Sequence, residues 1–129
     1  MAVQTDRATI FFDDITIGQR AELIRIVREG DVVAFAEVSG DDNPVHLDED
    51  FAATTPFKTR IAHGMLTASY LSTLLGTKLP GSGTIYLSQT LVFKRPVALG
   101  AEVTVRAEVT ALDPAKARVT LACVAEVAG

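Results

Sequence analysis

The chain of 129 residues contains one cysteine, Cys123, and two histidines, His46 and His63. A single cysteine excludes an intrachain disulfide and makes a reducing cytoplasm the expected setting. An excess of basic residues is also missing. Twelve Lys and Arg stand against 16 Asp and Glu, for a net charge of -4 and a pI of about 5.1. That balance argues against broad nucleic-acid binding, which needs a basic surface. It still allows a few local cations to hold a small anionic ligand. No apolar run is long enough to cross a bilayer, so no membrane span is expected. The opening MAVQTDRATIFF lacks a basic start followed by an apolar stretch, so no secretion signal is expected either. Internal repeats and low-complexity linkers are absent, and nothing divides the chain. One domain over residues 1–129 is the expectation. No serine sits in a G-x-S-x-G turn, which removes a nucleophile-elbow serine from consideration.

What is present is a folding sequence. Apolar residues make up 48% and charged residues 22%, enough to build a core at this length. Residues 10–17, IFFDDITI, read as an entry segment, and 21–27, AELIRIV, as a strand. Asp31 reads as the N-cap of a helix over 32–40 that Gly40 ends. Pro44 forbids that helix to continue, so 41–47 is expected to be a bent loop. A short helix should start near Asp48 and end by Pro56. The strongest helix is 64–76, GMLTASYLSTLLG, apolar around most of its circumference and therefore expected inside the fold. Gly76 is its expected stop. From Thr84 the apolar period becomes two, predicting antiparallel strands over 85–93, 103–109 and 119–123. Helices first and strands later, without βαβ alternation, give an α+β class, with the sheet curled around the buried helix.

Two stretches carry chemistry. In SGDDNPVH, residues 39–46, Asp41 and His46 stand five apart with Pro44 between them. On a continuous helix these side chains diverge. A bend lets both turn toward one point, where a carboxylate and an imidazole can share a water in an acid–base arrangement. Asn43 is placed to orient a side chain or brace the loop. The plainer alternative is an acidic turn that only caps the next helix. The second stretch is RIAHGMLTAS, residues 60–69. Gly64 opens the buried helix, where unpaired N–H groups and partial positive charge can polarise a carbonyl. Ser69 either hydrogen-bonds a catalytic side chain or fills space. His63 reads as a structural residue at the helix entry. Asp41, His46 and His63 lack a recognisable metal-ligand spacing, so no metal is expected.

Together these stretches resemble the MaoC-like family of (R)-specific enoyl-CoA hydratases. The resemblance rests on FAEVSGDDNPVHLDEDFA, then RIAHGMLTASYLS, then the strand ending VFKRPVALG, in the family's order over nearly the whole chain. It implies a hot-dog fold, a long antiparallel sheet wrapped around a central apolar helix and paired into a homodimer or higher even oligomer. It implies syn addition of water to a trans-2-enoyl thioester, giving the (3R)-hydroxyacyl thioester, with dehydration as the reverse. Asp41 and His46 resemble the pair that activates water and moves the proton. Gly64 resembles the donor to the thioester oxygen, Ser69 a supporting serine and Asn43 a brace. The reaction needs no metal or redox cofactor, and the substrate is a CoA or acyl-carrier thioester. Arg60, Lys94 and Arg95 are candidates for CoA phosphates, each with an ordinary solvated charge as the alternative. Phe35, Phe51, Leu87 and Leu91 are candidates for the acyl slot or plain core. After VTLACVAEVAG the family's usual last strand is missing, which leaves the expected sheet one strand short. Two alternatives remain: a hot-dog acyl-CoA thioesterase, disfavoured because 64–76 holds no Asp or Glu, and a non-catalytic acyl-thioester-binding partner subunit.

Overall fold

A computed structural model describes residues 7–128. The chain enters along the far end of the longest helix. The Ala8 N–H donates to the Thr77 carbonyl at 2.9 Å and the Ile10 N–H to that of Pro80 at 2.8 Å. Gly81 lies so close to this segment that a Cβ there would sit 2.0 Å from the Ala8 carbonyl oxygen. A 3-10 turn at Phe12–Asp14 leads into β1, Arg20–Ile26.

Next comes α1, Glu29–Ser39, which starts three residues before the expected position. Asp31 is not its N-cap. Its Oδ2 reaches back to accept the Arg28 N–H at 3.0 Å, so the acid serves the first turn from inside it. Gly40 closes the helix as foreseen, with φ at 80° and its N–H donated to the Ala36 carbonyl at 2.9 Å. The expected loop at 41–47 contains a one-turn helix, α2, Pro44–Leu47. Proline ends helices but also suits their first position, where its missing N–H has no partner to lose. Asn43 caps α2 by accepting the Val45 N–H at 3.2 Å. Asp48 caps α3, Glu49–Ala53, by accepting the Phe51 N–H at 3.1 Å.

The apolar helix is α4, Gly64–Thr77, and Gly76 lies within it. Leu66, Leu71, Leu74 and Leu75 are buried, while Met65, Ser69, Ser72 and Thr73 are exposed, so the helix is enclosed on part of its circumference only. It packs on a sheet of three antiparallel strands in the order β1-β2-β3, with β2 at Glu102–Asp113 and β3 at Arg118–Val127. Leu23 pairs with Val105 and Val105 with Ala125, which fixes the register. Val103, Val105, Ala107 and Val109 alternate inward along β2 and, with Val27, Val32 and the leucines of α4, form the core. Side chains as enclosed as Leu74 and Val105 contribute about 1.5–3 kcal/mol each.

The expected strand over 85–93 is not found. Its residues join no ladder among the described residues, and Ile85, Leu87, Val92 and Phe93 are exposed. The outer edge of β3 likewise has no neighbouring strand among the described residues. A period of two states which side chains share a face. It does not provide an edge to pair with.

Candidate active site

Three short devices bring the acid and the imidazole together. The left-handed turn at Gly40 throws the chain off α1. The Asp41 N–H then donates to Ser39 Oγ at 3.1 Å, and the Asn43 N–H to Asp41 Oδ1 at 3.3 Å. α2 next swings His46 inward until it is buried. His46 Nδ1 lies 2.8 Å from the Ile61 carbonyl oxygen. A carbonyl only accepts, so Nδ1 carries a proton, and in the neutral ring the lone pair is on Nε2. A carboxylate oxygen of Asp41 and one ring nitrogen each of His46 and His63 lie within 4.8 Å of one another.

The start of α4 completes the site. His63 precedes the helix and is buried, and Gly64 is its first residue. Among the described residues, nothing accepts the Gly64 N–H. An unclaimed N–H at the positive end of a 14-residue helix is a ready donor to a developing negative charge. The Phe93 ring lies over this position, near enough that a Cβ on Gly64 would meet it at 2.9 Å. Glycine is favoured here by close approach of a side chain and not by an unusual φ.

Beside these groups an open hollow of about 460 Å³ is lined by Arg25, Asp31, Phe35, Leu66, Ser69 and Tyr70. Phe35 connects it to the site, with its ring centroid 4.8 Å from that of His63. The Tyr70 hydroxyl is buried without a partner. Burial pushes its pKa up, the charge of Asp31 adds to the rise, and Arg25, 5.8 Å from the ring, partly offsets it.

The other expected residues fall out unevenly. Asn43 braces the loop through its cap on α2. Ser69 Oγ donates to the Leu66 carbonyl of its own helix at 2.5 Å and lines the hollow, away from hydrogen-bonding contact with Asp41 or His46. Arg60 is a clamp. Its Nε donates to the His46 carbonyl at 2.7 Å and its Nη1 pairs with Glu29 at 2.7 Å, with the side chain only 13% exposed. Lys94 and Arg95 are exposed, as are Phe51 and Leu87, whereas Phe35 is half-buried beside the site. Sequence spacing did not reveal that His63 joins Asp41 and His46. The contact spans 22 residues and depends on the packing of α4.

Comparison with known proteins identifies the family. Residues 11–127 match the model of the MaoC like domain. An (R)-specific enoyl-CoA hydratase of Rhodospirillum rubrum is 51% identical over 119 residues, covering 92% of this chain and 83% of that protein. A 3-hydroxybutyryl-CoA dehydratase of Methylorubrum extorquens is 50% identical over 118 residues, covering 92% of this chain and 75% of that protein. The solved structure of the (R)-hydratase from A. caviae involved in PHA biosynthesis superposes with a TM-score of 0.85 at 50% identity, covering 88% of this chain and 86% of that one. The α+β architecture is that of the hot-dog hydratases, and the chain belongs to the MaoC-like family.

Proposed function

We propose that this chain is an (R)-specific enoyl-CoA hydratase, a hydro-lyase adding water in syn fashion to trans-2-enoyl thioesters to give (3R)-hydroxyacyl thioesters. The observation that carries the proposal is the meeting of the Asp41 carboxylate and the His46 imidazole beside the unclaimed Gly64 N–H. A water held between Asp41 and His46 loses a proton to the pair and attacks C3. Charge moves onto the thioester oxygen, where the Gly64 N–H stabilises the enolate. The pair then delivers a proton to C2 on the same face and returns to its starting state. Relatives named as a hydratase and as a dehydratase support both directions of one equilibrium.

Asn43 holds the loop in this mechanism, and Arg60 holds the backbone of His46 and takes no part in phosphate binding. Of the three candidate cations, Lys94 and Arg95 are left to the phosphates of a CoA carrier. Ser69 belongs to the lining of the acyl hollow. No metal or redox cofactor enters the reaction. We also assign the protein to the cytoplasm as a homodimer or higher even oligomer. The exposed apolar side chains of 85–93 support the assembly, and a free cysteine at position 123 supports the compartment.

Mixing the protein with crotonyl-CoA tests the activity. Loss of the enoyl-thioester absorbance without free thiol is the expected result. Free thiol would instead indicate a thioesterase, and tight binding without change a non-catalytic subunit. Asp41→Asn and His46→Gln should each lower kcat by about 10²–10⁴-fold with the fold intact. Near-normal rates in both would remove the pair from the mechanism.

A further inference from the structure

His63 is 2% exposed and has no step in the chemistry above, yet it touches every group that does. Its Nε2 lies 2.9 Å from the Asp41 carbonyl oxygen. Its ring stacks on that of His46, with centroids 3.8 Å apart and 26° between the planes. Its own peptide bond leads into Gly64. We propose that His63 is a positioning residue for the hydration reaction, fixing Asp41, His46 and the Gly64 N–H relative to one another. The proposal rests on the hydratase reading.

Two facts separate this role from packing. The Asp41 carbonyl can only accept, so His63 carries its proton on Nε2 and leaves Nδ1 as a bare lone pair. That Nδ1 is buried and has no partner. An unpaired buried nitrogen is costly, and a phenylalanine ring would fill the same space without it. The imidazole is therefore explained by its other nitrogen, the donor to Asp41. The second fact is where that donor acts. Asp41 is exposed, and its loop is otherwise held by local bonds to Ser39, Asn43 and, through the Asp42 N–H, the Gly40 carbonyl, all on its own side of the site. The bond from His63 ties the loop to α4, the element that bears Gly64. The stacked ring holds His46 from the same anchor. A small displacement of reacting groups costs far more in rate than in binding.

Two variants divide the role. His63→Phe keeps a ring against His46 and deletes the donor. His63→Gln restores an N–H at the reach of Nε2 and deletes the ring. With crotonyl-CoA, His63→Phe should lower kcat by about 10- to 100-fold with KM nearly unchanged and melting temperature at least as high as the parent's. His63→Gln should recover part of that loss. A His63→Phe enzyme with the parent's kcat overturns the proposal, as does a loss in kcat that only tracks a fall in melting temperature. If His63→Phe fails to fold, His63→Gln decides alone: a lowered kcat at constant KM supports the role, and the parent's kcat overturns it. If the parent itself leaves crotonyl-CoA unchanged, the hydratase reading fails and the proposal falls with it.

Discussion

Adding one methyl group to Gly64 would place a carbon 2.9 Å from two atoms of the Phe93 ring. The ring end can move, so Gly64→Ala should fold. It should nonetheless shift the neighbours of the N–H and lower kcat by about tenfold. Phe93→Ala should relieve the crowding, and a double-mutant cycle on melting stability should give a coupling of about 0.5–3 kcal/mol. Additive effects would mean that the contact is not formed in solution. At this scale the sequence was readable where a residue type has few uses. A proline between a carboxylate and an imidazole within six positions made the bend that brings Asp41 and His46 together readable, while the acidic-turn alternative stayed open until the family resemblance was added. Arg60 was not readable, because a phosphate ligand and a clamp on a neighbouring carbonyl are the same letter. Ser69 was left between two uses by its sequence position; in the structure its hydroxyl has its own helix as a near acceptor.

Among the elements, α4 carries the least expected group, a buried phenol on the face packed in the core. Burial raises the Tyr70 pKa above the ordinary 10.0. A folded-state value above the unfolded one means that stability is fully present below pH 10.0 and is lost as pH rises through the raised value, because the unfolded chain ionises first. Alkaline unfolding followed by circular dichroism should therefore begin above pH 10, and Tyr70→Phe should move its onset upward. The same change removes a hydroxyl with no partner, so at neutral pH it should not lower the melting temperature. An unchanged alkaline onset would show that Tyr70 ionises alike in both states. The helices themselves were largely legible: α4 through its apolar run, α1 through Gly40, and α3 through Asp48. What escaped was α2 and the true start of α1. Pro44 serves equally as a stop and as a first residue, and Asp31 serves a first turn from within it as well as from its cap.

For the whole molecule, the open question was the sheet. Its three paired strands were anticipated, and 85–93 was expected among them because its apolar residues alternate. Alternation describes a face, and pairing also needs the segment to reach an edge; among the described residues the outer edge of β3 is free and 85–93 does not take it up. The outcome is a strip of exposed Ile85, Leu87, Val92 and Phe93. Surfaces of this kind on soluble proteins mark contact sites. Light scattering should accordingly give an even multiple of 13.7 kDa, and Leu87→Glu should shift the distribution to smaller species. A monomer across the micromolar range would contradict the assembly we assign. Among the described residues no helix is long and apolar enough to cross a bilayer.

The stitching of Ala8 onto the last residue of α4, and of Ile10 onto Pro80 just beyond it, has a further effect. One end of that helix bears the unclaimed Gly64 amide while the other is knotted to the incoming chain beside Gly81. Loosening the knot would let the rod pivot, and the chemistry at the opposite tip would lose its aim although none of its own residues had been touched.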